Sequence, residues 1–155
     1  MGHYVRLLSA LTSAATAVAA AAFVLVPAAP AAAAPVIQLT RAVYDSPGTD
    51  TRTNASLNAE YLTLKNTSKS TVNLSRWTVR DKANHVYTFA GTVSVKPGAT
   101  LWLHTGRGTN TASHRYWNSG NYIWNNTGDV AYVRNASGTQ IDTCSWGKGT
   151  GSVAC

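Results

Sequence analysis

Beyond an apolar N-terminus, the chain consists of short segments in which apolar and polar residues alternate, separated by turn residues. Leu62 and Leu64, for example, fall on one face of an extended segment, whereas Thr63 and Lys65 fall on the other. An alternation of period two is typical of a β-strand with one buried and one solvated face. No segment of helical length in this region has an apolar period of 3.6 residues. The pattern therefore predicts an all-β domain.

The predicted strands are short, and their connections are rich in turn residues. The segment Asn135 to Gly138 predicts the turn of a hairpin, and Gly106 to Gly128 is predicted to be a long loop. About seven strands without helices bury their apolar faces best as two packed sheets, so we predict a β-sandwich. The predicted strands are Val36–Tyr44, Glu60–Lys65, Val72–Asp81, His85–Phe89, Thr100–Thr105, Val130–Arg134 and Thr139–Trp146.

The N-terminus has the composition of a secretory signal peptide. A basic start precedes an Ala-rich apolar run from Leu7 to Val26, and small residues then predict cleavage at 33/34 or 34/35. A retained signal anchor is the alternative, which the Ser and Thr residues within the run disfavour. The predicted organisation is a signal peptide of residues 1–33, a domain of residues 34–146 and a Gly-rich C-terminal tail of residues 147–155. We expect a secreted protein with no membrane span after processing.

The mature domain is basic. Twelve of the 13 Lys and Arg residues and all six acidic residues lie beyond the predicted leader, which gives the domain a net charge of +6. Such a charge favours anionic partners such as nucleic acids or anionic cell-wall polymers. We expect outward side chains to form a surface for a polyanion or for a partner protein, with Trp102 stacking on bases or sugars. The residues proposed for this surface are Lys65, Arg80, Lys82 and Trp102.

Further aromatic residues in the predicted long loop have two interpretations. Tyr116, Trp117 and Tyr122 are additional stacking candidates, since aromatic faces interleaved with cations suit single-stranded nucleic acid or sugar rings. Alternatively, they pack the long loop against the sandwich.

The two cysteines of the chain, Cys144 and Cys155, are predicted to form a disulfide, because an exported protein folds in an oxidising environment. The loop that this bond closes is short, so its stabilisation is at most about 3 kcal/mol by loop entropy. No CxxC spacing or neighbouring His indicates a catalytic or metal-binding role for this pair.

The segment 124–131, WNNTGDVA, concentrates polar groups that could indicate a binding site. Asn125 and Gly128 tolerate turn conformations, however, and Asp129 can accept backbone N–H bonds in such a turn. We interpret the segment as a scaffold turn before a strand, and a sugar or anion site is the alternative. The residues assigned to the scaffold are Trp77, Trp124, Asn125, Asn126, Gly128 and Asp129.

Catalytic motifs are absent from the sequence. It contains no GxSxG, HExxH or CxxC pattern. His104 and His114 lie on either side of a glycine-rich segment and could approach each other, but two imidazoles alone make a weak metal site. We therefore expect no enzymatic activity, no cofactor and no bound metal.

Several separated motifs occur in a recognisable order: LNAEYLTLKN (57–66), VNLSRWTVRD (72–81), KPGATLWLHTGRG (96–108), YW (116–117) and WNNTGDVAYVRNASGTQID (124–142). With them the chain resembles the lamin-tail domain family from about Val36 to Trp146. The resemblance implies an immunoglobulin-like β-sandwich and a non-catalytic module. Members in animal nuclei belong to filament proteins that contact chromatin, and secreted bacterial members often accompany hydrolase or nuclease domains. The chain departs from the family at Arg76, where Gly is usual, and in its C-terminal pair of cysteines.

Two functions are compatible with the sequence. The first is a secreted, non-catalytic binding or adhesive module for an anionic polymer such as extracellular DNA or a cell-wall polymer. The second is a structural or assembly protein that acts through an exposed sheet edge or the Trp102 surface, by protein–protein contact or self-association. Salt-dependent polymer binding would favour the first, and concentration-dependent association the second.

Overall fold

The structure is a computed structural model that describes residues 1–2 and 34–155. The predicted signal peptide, apart from its first two residues, lies outside the described residues. Within the described ranges, no helix has the length and apolar character needed to cross a bilayer.

The described residues form eleven strands and one short helix. In chain order these elements are β1 Ile37–Val43, α1 Asn54–Ala59, β2 Tyr61–Asn66, β3 Val72–Asn73, β4 Thr78–Arg80, β5 Val86–Thr88, β6 Ser94–Val95, β7 Thr100–His104, β8 His114–Tyr116, β9 Gly128–Arg134, β10 Gln140–Gly147 and β11 Ser152–Ala154.

Two sheets pack face to face and confirm the predicted sandwich. Sheet I has the strand order β11-β1-β2-β7-β8, in which only the β7–β8 pair is parallel. Sheet II has the order β10-β9-β4-β5 and is antiparallel, and β3 and β6 form a separate two-stranded sheet. The alternating apolar positions of both sheets meet in one core. Tyr44 from the end of β1 stacks on Trp146 of β10 across the core, with ring centroids 5.1 Å apart.

The alternation predicted in β2 is observed, with one exception. Leu62 and Leu64 are fully buried and Lys65 is exposed, as the pattern requires. Thr63, predicted to face solvent, is only 6% exposed. Its hydroxyl lies 2.8 Å from that of Thr40, and Trp102 is its cross-strand neighbour. The outer face of sheet I is thus partly covered by its own side chains.

Four elements were not predicted from the sequence, namely the helix α1 and the strands β6, β8 and β11. The polar loop before β2 contains the helix α1, which Thr53 caps by accepting a hydrogen bond from the Ser56 N–H. The predicted long loop contains β8, and the predicted C-terminal tail contains β11, which pairs with β1. All four are short. An amphipathic period cannot be recognised over two to six residues.

The disulfide between Cys144 and Cys155 is present, with the two Cα atoms 5.4 Å apart. Cys144 belongs to β10 in sheet II, whereas Cys155 directly follows β11 in sheet I. The bond therefore connects the two sheets and holds β11 against β1.

Candidate functional site

The fold uses most of its carboxylates internally. Glu60, Asp81 and Asp129 are buried, and Asp142 is half-buried. Each of the four accepts a hydrogen bond from at least one backbone N–H. The other two acidic residues lie in the loop between β1 and α1. Four of the six negative charges thus satisfy backbone donors that would otherwise be buried without partners.

Glu60 has the most perturbed of these carboxylates. Its Oε1 accepts hydrogen bonds from the Thr105 hydroxyl at 2.6 Å and from the backbone N–H groups of Ile123 at 2.9 Å and Trp124 at 3.4 Å. Its Oε2 is buried without a partner. Burial raises the pKa of Glu60 to about 7, although the hydrogen bonds from Thr105, Ile123 and Trp124 act in the opposite direction. Glu60 connects the start of β2 to the segment after β8.

Asp129 organises the turn of the WNNTGDVA segment. Its Oδ2 accepts from the backbone N–H and side-chain amide of Asn125, and its Oδ1 accepts from the backbone N–H of Lys82. Gly128 has φ of 139°, a conformation that favours glycine. Trp124 is buried in the core. The Asp129 carboxylate and the Asn125 amide are therefore engaged in holding this turn and the turn at Lys82.

The basic side chains, in contrast, are not neutralised by carboxylates. In the part of the chain that the structure describes, no Lys or Arg nitrogen lies within 4.0 Å of a carboxylate oxygen, and the single ion-pair contact joins His85 to Asp81. Because four of the six carboxylates are buried or half-buried while no cation is paired with a carboxylate, the surface is more positive than the net charge alone indicates.

Sheet II carries a row of cations on its outer face. Arg80 on β4 is directly opposite Tyr132 on β9, and Arg134 is opposite Thr78. Arg80 and Arg134 are therefore diagonal neighbours on one face, separated by Tyr132 and Thr78. The Nε atoms of both arginines are buried and have no hydrogen-bond partner. Each guanidinium group is thus partly buried, and it is not paired with a carboxylate.

Lys82 extends this row beyond the end of β4. It is exposed and lines a groove of about 300 Å³ together with residues of the paired strands β9 and β10. The lining residues are Lys82, Thr127, Gly128, Asp129, Val130, Ser145 and Trp146.

The structure does not bring together all four residues of the predicted polyanion surface. Arg80 lies on the outer face of sheet II and Lys82 lies in the turn that follows β4, whereas Lys65 and Trp102 belong to the outer face of sheet I, on the other side of the sandwich. The sequence gives the face within each strand but not the sheet to which a strand belongs. Trp102 is also half-buried, because the His114 ring stacks on it with centroids 5.2 Å apart.

The other aromatic residues considered for stacking pack against the protein itself. Trp117 contacts the rings of Tyr87 and Trp124 at centroid distances of 5.6 and 5.8 Å. The Tyr122 hydroxyl lies 2.6 Å from that of Ser56, and the Tyr116 ring stacks on His104. These residues fasten the segment between β7 and β9 to the sandwich.

Arg134 was not identified from the sequence, although the signal was present. The alternation of β9 buries Ala131 and Val133, which places Tyr132 and Arg134 outward. What the pattern could not provide was the pairing of β9 with β4, which makes Arg134 a neighbour of Arg80.

A second cationic cavity lies at one end of the sandwich. It has a volume of about 220 Å³ and is lined by Arg52, Asn54, Leu57, Arg107, Ser119 and Gly120. Asn54 and Asn58 hold the backbone of Arg107 by hydrogen bonds of 2.7 to 3.0 Å. No three His, Cys, Asp or Glu side chains among the described residues are grouped as a metal site would require.

Comparison with known families agrees with this architecture. The sequence model of the family described as Lamin Tail Domain matches residues 30–148. The chain belongs to the lamin tail domain family. β11 and Cys155 lie outside the matched range, so the disulfide that connects the sheets extends beyond the family's common domain. Among curated proteins, none matches the chain.

Proposed function

We propose that this protein is an exported, non-catalytic binding module whose sheet II binds phosphodiester polymers, either nucleic acid or a phosphate-containing cell-wall polymer. The observation that carries the proposal is the separation of charge: four of six carboxylates accept backbone hydrogen bonds inside the fold, while no described Lys or Arg is paired with a carboxylate. Unpaired cations on a flat sheet favour an extended polyanion.

The row of cations on sheet II supports phosphate as the bound group. The guanidinium fork of Arg80 or Arg134 matches the geometry of phosphate oxygens and can donate two hydrogen bonds at once. Lys82 adds a compact charge at the end of the row. These cations lie on or next to β-strands of a sheet, and not on an element that could insert into a groove of the nucleic acid. We therefore expect contacts with the polymer backbone and no sequence preference.

Export and the lack of catalysis are parts of the same proposal. A disulfide that joins two sheets is typical of proteins that fold in an oxidising compartment. A hydrolase requires an accessible nucleophile and a matched base. Here Glu60, Asp81 and Asp129 are buried and bound to backbone N–H groups, which favours a structural use of the carboxylates.

The test is fluorescence anisotropy of labelled DNA and of labelled wall polymer at several salt concentrations and pH 8. Replacement of Arg80, Lys82 and Arg134 by Gln should lower the slope of log affinity against log salt by about 2.7, since each lost contact contributes about 0.9. The matched control replaces three exposed cations that lie outside the strands of sheet II, Lys69, Arg76 and Lys96, by Gln. The control has the same net charge and should keep most of the slope.

Three results would refute or redirect the proposal. An equal loss of slope in both variants would mean that net charge, and not sheet II, governs binding. Absence of binding to either polymer at low salt would reject the polyanion function. Concentration-dependent self-association that a Trp102→Ala substitution abolishes would then favour the assembly function instead.

A further inference from the structure

The outer face of sheet I carries two rows of side chains that run across four neighbouring strands, β1, β2, β7 and β8. Aromatic rings of the two rows alternate between the two strands: Trp102 and His104 come from β7, and His114 and Tyr116 come from β8. One row consists of Arg41, Thr63, Trp102 and His114, and the other of Val43, Tyr61, His104 and Tyr116.

Four of these rings form a stacked column, which we call the ladder: Trp102, His114, His104 and Tyr116. Successive centroids are 5.2, 5.2 and 5.1 Å apart, and successive planes differ by 17° to 20°. Trp102 stacks on His114 and Tyr116 stacks on His104, whereas the two nearly coplanar imidazoles meet through their edges, 3.0 Å apart. All four residues are half-buried.

Hydrogen bonds fix the tautomers in the ladder. Nδ1 of His104 lies 2.8 Å from the carbonyl oxygen of Asn58, and a carbonyl can only accept, so this Nδ1 carries a proton. In the neutral ring Nε2 of His104 then accepts, and Nδ1 of His114, 3.0 Å away, donates to it. The chain of hydrogen bonds ends at Nε2 of His114, which is left with a free lone pair.

This arrangement can take up one proton without losing a hydrogen bond. Protonation of Nε2 of His114 gives an imidazolium that still donates from Nδ1 to His104. The Trp102 face stacked on this ring stabilises the positive charge by a cation–π interaction. Burial lowers the pKa of His104 from the ordinary value of 6.5, and the neighbouring His114 acts in the same direction. His104 is thus suited to remain the acceptor within the chain.

The surroundings of the ladder are basic. No acidic residue occurs in β1, β2, β7, β8 or β11, the strands that form sheet I. The helix α1 contributes the Asn58 carbonyl to the ladder. The titratable or charged side chains on this face or on its edge strand are Arg41, Tyr61, Lys65, Arg115 and Tyr116. A proton taken up by the ladder therefore adds to the positive charge of Arg41 and Lys65, and no carboxylate on this face compensates that charge.

We propose that the outer face of sheet I is a second surface for phosphodiester polymers, activated by protonation of the His104–His114 pair. This proposal rests on the function proposed for sheet II. The outer faces of the two sheets point away from each other, so each face can hold a separate polymer strand. A protein with both faces occupied bridges two polymer strands. The module therefore binds one strand at neutral pH and crosslinks strands in an acidic environment.

The experiment measures DNA binding at pH 8 and at pH 5.5, about one unit below the ordinary pKa of histidine. For the wild-type domain we expect the affinity at 0.1 M salt to rise at least about tenfold on acidification, because a proton and two cations add contacts that release counterions. In a capture assay, DNA fixed on beads should retain a second, labelled DNA through the protein at pH 5.5 and not at pH 8.

Two sets of variants separate the ladder from general effects of acid. His114→Gln should reduce the tenfold rise to less than about twofold, whereas His85→Gln, outside the ladder, should leave it intact. Arg41→Gln with Lys65→Gln should lower the acid-induced rise in affinity although NMR still shows protonation of the ladder histidines at pH 5.5. Both of these cations are exposed, so this variant tests the proposal even if the ladder substitution impairs folding.

The outcomes distinguish the two proposals. Binding at pH 8 with no further rise in affinity at pH 5.5 would refute the second surface and leave the proposal for sheet II standing. A rise in affinity that persists in His114→Gln would have the same meaning. Binding only at pH 5.5 that His114→Gln abolishes supports the second surface and refutes sheet II. Bridging that requires His85 would also contradict the assignment to the ladder.

Discussion

Arg76 has a left-handed backbone conformation, with φ of 63°, which an arginine adopts only at a cost. It lies in a turn closed by the hydrogen bond from the Trp77 N–H to the Leu74 carbonyl, a position where positive φ favours glycine. We predict that Arg76→Gly unfolds at higher denaturant concentration than Arg76→Ala. The expected difference is about 1 kcal/mol, because both variants remove the charge but only glycine relieves the backbone strain. Equal stability of the two variants would contradict this.

Glu60 should make the stability of the domain depend on pH. Its pKa is about 7 in the folded protein against 4.5 ordinarily, so the folded state binds the proton more tightly. The resulting stabilisation is complete below pH 4.5, declines between pH 4.5 and 7 and is lost above. Its full size is about 3 kcal/mol at 1.36 kcal/mol per pKa unit.

The measurement is urea denaturation between pH 4 and pH 8 of the wild-type domain and of Glu60→Gln. The amide remains neutral throughout, so we expect the difference in unfolding free energy between the two proteins to change in favour of Glu60→Gln as the pH rises. Other titrating groups contribute equally to both proteins. A constant difference across the range would show that the pKa of Glu60 is the same in the folded and unfolded states.

At the scale of elements, β11 depends on the disulfide more than the sandwich does. It has three residues, pairs with β1 alone and is connected through Gly149 and Gly151, so its few contacts should be weakened when Cys155 no longer holds the end of the chain. We predict that Cys155→Ser keeps the far-UV β-signal and loses at most about 3 kcal/mol. Hydrogen exchange should lose protection at Ser152–Ala154 and retain it in β2 and β7. Global loss of protection would mean that the bond supports the whole sandwich.

At the scale of the whole molecule, an outward excess of positive charge couples stability to polyanions. A polymer at about 100 times its dissociation constant should raise the free energy of unfolding by up to about 2.7 kcal/mol, and less if the basic unfolded chain binds it too. Thermal unfolding at pH 8 with and without DNA measures this. High salt should abolish the shift because it removes the counterion-release term.

The matched comparison uses the variant with Arg80, Lys82 and Arg134 replaced by Gln. We expect the DNA-induced shift to disappear in this variant and to persist when Lys69, Arg76 and Lys96 are replaced instead. Destabilisation of the wild-type domain by DNA would indicate preferential binding to the unfolded chain.

The sequence alone determined the all-β class, the sandwich, the strand faces, the family and the disulfide. Each of these depends on local alternation, on turn residues, on ordered motifs or on a count of two cysteines, all of which are properties of neighbouring positions. For the same reason it identified Arg80 and Lys82 as outward cations of one strand segment. It missed α1, β6, β8 and β11, which are too short to show a period and which depend on a helix cap or on pairing with another strand.

Only the tertiary structure decided which outward residues share a surface. Strand pairing brought Arg134 beside Arg80 and separated both from Lys65 and Trp102, which lie in the other sheet. Pairing of β7 with β8 also brought His104 and His114 within 3.0 Å although ten residues separate them. Alternation specifies the face of a residue within its strand, but long-range packing of the core selects the neighbouring strand, and no local pattern contains that choice.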